Sequence, residues 1–118
     1  MQYQLLNPPA TGNVVVLQGD FDALGARAIR PLFEELAAQE SGDVLVDFRA
    51  VEFIDSSGVG ALVFLHKRLV ANNRRLQIVG AEGQPRELLE LLRLDRVISV
   101  NRTTVVMPDQ NMTAALPC

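Results

Sequence analysis

The tetrapeptide Asp55-Ser56-Ser57-Gly58 carries the densest chemistry in the sequence, one carboxylate and two hydroxyls followed by a residue without a side chain. These residue types account for a helix start, because an Asp or Ser oxygen accepts a hydrogen bond from the first, otherwise unpartnered backbone N–H groups of a helix. The same pattern admits a second reading. A hydroxyl at the positive end of a helix is a place where added phosphate is electrostatically favoured, changing the surface charge while leaving the fold intact. An anion cradle is a third. Gly58-x-Gly60 is too short for a phosphate-binding glycine fingerprint, however, and no P-loop lysine accompanies it. Local chemistry leaves capping and phosphate acceptance side by side.

Other candidate groups are sparser. Asp20, Asp22, Asp47 and Asp55 could form a carboxylate cluster for Mg²⁺ and phosphoryl transfer, and Asp22 and Asp55 fall at strand ends, where ligands of α/β proteins sit. No Lys or His stands near them in sequence to complete such a site, and Asp at a helix start is ordinarily a cap, so neither an enzyme nor a metal centre is expected. His66, the single histidine, falls among apolar neighbours and reads as a satisfied core residue. The cations Lys67, Arg68, Arg74 and Arg75 cluster around the end of a helix, where the dipole favours them.

The elements that must position these groups follow from periodicity. Val14-Val15-Val16-Leu17-Gln18, closed by Gly19, reads as a buried strand with Tyr3–Leu6 as its hairpin partner. From Ala23 to about Gln39, Ala28, Leu32, Phe33 and Leu36 recur at helical spacing, with Asp22 as N-cap and Ser41-Gly42 as the stop. Pro31 lies beyond the first turn, so a kink or a late helix start is expected. Val44–Phe48 is a second buried strand, and Val51–Ile54 leads into Asp55 and a helix reaching Asn72-Asn73. Arg75–Val79, a helix opened by Gly83-Gln84-Pro85 and carrying Leu88, Leu89, Leu91 and Leu92, and a strand over Val97–Val100 complete the pattern. Strands alternating with helices predict an α/β fold, a sheet covered by helices.

The helix after Asp55 can be phased by placing Ser56 at the origin and advancing about 100° per residue. Leu65, Leu69, Leu62, His66, Val59, Val70 and Val63 then fill an arc from roughly 180° to 340°, the expected core face. Ser56, Ser57, Gly60, Phe64, Lys67, Arg68 and Asn72 fall opposite. Phe64 is thus a large apolar residue on the expected wet side, consistent either with a lone exposed side chain or with a partner surface.

Composition narrows the function classes. In 118 residues, 48% are hydrophobic and 21% charged, as in an ordinary soluble domain, and the expectation is one domain over residues 1–118. A net charge of -3, no Trp and one Tyr argue against nucleic-acid binding and against gripping an anionic membrane. The N-terminus lacks a basic region and meets Pro8-Pro9 early, unlike a secretory signal. The longest apolar runs, such as Gly58–Leu65, fall far below the roughly 18 residues of a membrane span. The only cysteine is Cys118, so no intramolecular disulfide is possible, which fits a reducing cytoplasm.

Taken in order, Gly19-Asp20-Phe21-Asp22, Val44–Asp47, Phe53-Ile54-Asp55-Ser56-Ser57-Gly58-Val59-Gly60-Ala61-Leu62, Arg75–Gly80 and Pro85–Leu94 resemble a STAS domain of the bacterial anti-sigma factor antagonist type. The resemblance spans roughly residues 3–100 and is most specific at Asp-Ser-Ser-Gly on a strand-to-helix junction. It implies a STAS fold, a mixed central sheet of about four to five strands with helices packed on it. The departures are Pro31 and the stretch Thr103–Cys118, where the acidic, alanine-rich last helix usual in the family is not evident and an irregular tail is expected.

By that resemblance the chain is a cytoplasmic switch without catalytic activity or cofactor. Ser56 occupies the position phosphorylated by a partner that is both anti-sigma factor and serine kinase, and a metal-dependent serine phosphatase reverses the modification. The unmodified form binds the anti-sigma factor and frees the sigma factor. Asp22 matches the acidic residue beside the phosphorylation site, and Ser57 lies in the recognition surface. With the helix wheel, this outlines a partner-binding surface of Asp22, Asp55, Ser57, Gly58, Gly60 and Phe64. The alternative is a non-signalling structural subunit of a membrane transport assembly, which needs the partner surface but not the phosphate cycle.

Overall fold

The β-branched run at Val14–Val16 begins a long strand whose alternate side chains serve two faces, as the two-residue period requires. In the computed structural model, which describes residues 1–7 and 12–101, Val15 and Leu17 join the main core, whereas Val14 meets Leu45 and Val79 on the other face. Five strands form one mixed sheet in the order β1-β2-β3-β4-β5: Gln2–Leu6, Asn13–Phe21, Val44–Ile54, Leu76–Val79 and Ser99–Asn101. β1 pairs antiparallel with β2, and the remaining neighbours pair in parallel. Each parallel step is bridged by a helix: α1 (Ala23–Ala38), α2 (Ser56–Val70) and α3 (Gly83–Leu91), the last followed by a 3-10 turn at Leu94–Arg96. Right-handed crossovers that all step the same way place the three helices on one face. There Ile29, Leu32 and Leu36, Leu62, Leu65 and Leu69, and Leu89 close over Val46, Phe48 and Ile78. Each such fully buried aliphatic side chain contributes roughly 1.5–3 kcal/mol relative to exposure.

Several expectations are corrected by packing. Gly19 does not close β2. It adopts φ 101°, which glycine tolerates, and the register shifts beside it while the strand continues to Phe21. The two segments expected around Arg49 and Ala50 form the single strand β3. α1 begins directly after Asp22 rather than late, and runs on past Pro31, which is exposed, so the carbonyl deprived of its N–H partner lies on the wet side. Ala28 is exposed and Ile29 takes the core position. Leu91 and Leu92 at the end of α3 are exposed, as is Val97, so Pro85 and Leu89, with Leu88 beside them, carry that helix's burial. The stretch Thr103–Cys118 lies outside the described residues.

The arrangement matters most where β2 and β3 end together. Phe21 stands opposite Ile54, and the Asp55 N–H donates to the Phe21 carbonyl at 3.3 Å. The starts of α1 and α2 therefore lie side by side at the carboxyl edge of the sheet. Gly58 sets how closely they approach, since a Cβ there would lie 2.3 Å from the Phe21 carbonyl oxygen and 2.8 Å from an Ile54 side-chain carbon. Replacing a mid-helix glycine by alanine ordinarily gains about 1 kcal/mol of helix propensity. Here overpacking of about 1–3 kcal/mol opposes that gain. Gly58→Ala is expected to lower the urea unfolding midpoint, whereas Gly60→Ala, whose Cβ meets nothing within 4 Å, should raise it.

Candidate functional site

The two helix starts use the same device. Asp22 caps α1, its Oδ1 accepting from the Gly25 N–H at 3.0 Å. Asp55 caps α2, its Oδ1 accepting from the N–H groups of Ser57 at 2.8 Å and Gly58 at 3.2 Å. The capping reading of Asp-Ser-Ser-Gly therefore belongs to the aspartate. Ser56, the first residue of α2, is exposed, and Ser57 is half-buried. Gly60 is exposed. Gly58, expected in that surface, is buried against Phe21 and Ile54, so it acts by positioning α2 rather than by touching a partner.

A residue overlooked in the sequence holds this junction from the other side. β4 pairs with β3 only over Val44–Asp47, leaving the end of β3 without a strand neighbour on that flank. Gln84, in the first turn of α3, replaces one: its Oε1 accepts from the Ile54 N–H at 2.9 Å and its Nε2 donates to the Ile54 carbonyl at 2.8 Å. A primary amide can satisfy a backbone N–H and C=O together in this way. Gln84 is exposed and looks like any polar helix residue in sequence, where Gly83-Gln84-Pro85 marks a helix start but not its partner.

The wheel for α2 proves out of phase. Gly58, Leu62, Leu65 and Leu69 are buried, while Val70, assigned to the core, is 52% exposed. Centring the buried arc on these residues shifts it by about 50° from the expected face. That rotation brings Phe64 to the margin of the core: it is half-buried and packs against the main cluster, with the guanidinium carbons of Arg30 and Arg68 5.7 Å and 5.4 Å from its ring centroid. His66 moves outward to the margin near Arg75, Leu76 and Val97, half-buried, its Nδ1 enclosed without a hydrogen-bond partner rather than satisfied.

Between α1 and α2 the small residues Ala23, Ala26, Gly60 and Ala61 leave a groove of about 470 Å³. Arg27, Arg30 and Phe64 also line it, with Arg30 reaching from α1 onto the Phe64 ring of α2, and Ser57 lies toward the helix starts. The remaining candidate acids do not converge there. Asp47 lies back along β3, buried, and Arg49 Nε donates to both its carboxylate oxygens at 3.0 Å. Among the described residues no three His, Cys, Asp or Glu side chains form a group that could hold a metal ion. Arg74, expected to serve the dipole of α2, is 3% exposed and caps α1 instead, donating from Nη1 to the Gln39 carbonyl at 2.9 Å and from Nε to that of Gly42 at 2.6 Å. The tight turn after α2, with Asn73 at φ 60°, aims it there.

The family model described as "Mlab, STAS domain" matches residues 7–102, most of the chain. The chain belongs to the STAS domain family. Among curated relatives, the anti-sigma-B factor antagonist of Staphylococcus aureus is 26% identical over 92 residues, covering 78% of this STAS domain and 85% of that protein. An anti-sigma factor antagonist from Mycobacterium paratuberculosis superposes with a TM-score of 0.78 at 22% identity, covering 97% of this chain and 92% of its own. The Bacillus cell fate determinant SpoIIAA in its phosphorylated form gives a TM-score of 0.69 at 22% identity, over 84% of this chain and 90% of that one. The five-stranded mixed sheet carrying three helices is the STAS fold of these neighbours.

Two measurements probe the STAS domain's site. Phe64→Ala should cost about 1.5–3 kcal/mol, between the about 3–5 of a core phenylalanine and the about 0.5 of a surface position. Chemical denaturation reads this directly, and a cost at either extreme would contradict the half-buried placement. In Gln84→Ala, two hydrogen bonds of about 1 kcal/mol each give way to water. Amide exchange at Ile54 should accelerate at least about tenfold, since about 1.4 kcal/mol corresponds to that factor, while exchange at Val46 stays unchanged.

Proposed function

We propose that this STAS domain is an anti-sigma factor antagonist, a protein-binding switch that in its unphosphorylated form binds an anti-sigma factor with serine kinase activity and so releases a sigma factor. Ser56 is the phosphoacceptor, and a metal-dependent serine phosphatase resets it. The observation that carries this reading is the division of labour at the junction: Asp55 makes both capping bonds, and the Ser56 side chain is exposed beside them. A residue with no capping duty can be modified without dismantling the helix start. The kinship with proteins named anti-sigma factor antagonists supports the same role. Among the described residues no helix is long and apolar enough to cross a membrane, and the proposed place of action is the cytoplasm.

The helix dipole decides how the switch works. A negative group in the first turn stabilises a helix by about 0.3–1 kcal/mol, so phosphate at Ser56 does not melt α2. It adds about -1.5 to -2 charge beside Asp22 and Asp55. At an interface, an opposed like charge costs several kcal/mol, and two powers of ten in affinity need only about 2.8. Docking fails while the fold stays.

Incubation with the cognate kinase and Mg-ATP should label wild type and Ser57→Ala but not Ser56→Ala. Label retained in Ser56→Ala would overturn the assignment. Ser56→Asp should keep its circular dichroism and its Tm within a few degrees, yet bind the kinase about a hundredfold more weakly than Ser56→Ala. A collapsed melting transition would instead point to helix melting. Intact protein from its own cells that never gains a phosphate-sized mass under any growth condition would favour the non-signalling subunit of a transport assembly.

A further inference from the structure

The groove between α1 and α2 combines features that the phosphoacceptor does not require. Its walls carry cations in a chain whose net charge is -3. Arg30 is partly neutralised, its Nε donating to Glu34 Oε2 at 3.0 Å, but Arg27 makes no ion pair among the described residues. The Phe64 ring, with the Arg30 and Arg68 guanidiniums packed over it, lines the same space. Gly60 on the floor has open space in front of it, with nothing within 4 Å of where a Cβ would stand. Arginines and an aromatic ring lining one cleft of about 470 Å³ fit a carboxylate carried next to an apolar side chain.

We infer that this groove receives an acidic side chain and its apolar neighbour from the protein that acts on Ser56, the carboxylate meeting Arg27 and the apolar group lying on Phe64. The inference rests on the reading of Ser56 as a phosphoacceptor. It identifies a protein occupant because the groove ends at Ser57, next to Ser56, so a partner seated on the helix starts covers the groove mouth. It also separates two tasks: the paired helix starts, with Asp22 and Asp55, report the phosphorylation state, and the groove supplies affinity in the unphosphorylated state. A large apolar side chain in a pocket beside arginines is the kind of anchor that dominates interface energetics.

Gly60→Leu directs a side chain into the groove from a position where a Cβ meets nothing within 4 Å and replaces glycine by a better helix former, so its Tm should hold or rise. Arg27→Glu reverses the wall at an exposed position. Titrated calorimetrically with the purified kinase that labels Ser56, each variant should bind at least tenfold more weakly than wild type, and Arg27→Lys should retain most of the affinity. Wild-type affinity in both Gly60→Leu and Arg27→Glu overturns the groove assignment while leaving the kinase reading intact. A wild-type protein that neither binds nor is labelled overturns both. A wild-type dimer that sediments as a monomer after Gly60→Leu gives the groove to a second copy of the chain and likewise overturns the assignment.

Discussion

Two neighbouring parallel strands end level with each other, and the backbone of one bonds to the backbone of the other through the Asp55 N–H and the Phe21 carbonyl. The helix that follows must leave this edge across the same carbonyl, which is possible only because Gly58 has no side chain to occupy the space. The side-by-side helix starts, the exposure of Ser56 and the groove along α1 all depend on that close approach. Gln84 supports it from the opposite flank by serving as the strand partner that β4 is too short to provide.

Electrostatics at this edge is arranged in two zones. Each helix start presents a partial positive charge answered by one capping carboxylate, Asp22 at α1 and Asp55 at α2. Farther along the helices the sign changes, with Arg27 and Arg30 on α1 and Arg68 on α2 around one phenylalanine. A partner that reads this surface meets negative charge at the strand ends and positive charge in the groove. Such patterning favours one docking register over others, because misregistered like charges lose several kcal/mol.

Much of this was legible in local sequence. The strands around Val15 and Val46, the caps at Asp22 and Asp55 and the start of α2 at Ser56 follow from short-range rules: β-branched apolar runs and side-chain capping. These rules concern atoms a few residues apart, so one stretch of chain contains all the information they need. Periodicity also gave the order of elements, and that order together with Asp-Ser-Ser-Gly carried the resemblance to the STAS fold.

Other features arose from long-range packing. Which side of α2 faces the sheet depends on Phe21 and Ile54 beneath Gly58, and a wheel drawn from apolar residues alone placed Val70 inside and Phe64 outside. The destination of Arg74 depends on carbonyls at Gln39 and Gly42, more than thirty residues away in the chain. Gln84 meets Ile54 only because α3 begins beside the end of β3. The groove needs small residues on two helices to face each other, and neither helix reveals this by itself. Local hydrogen bonding and periodicity are properties of a segment, and they placed Ser56 at its helix start. Helix rotation, close approach and the pairing of distant groups are properties of the packed chain, and only tertiary contact turned that helix start into a surface with a cleft beside it.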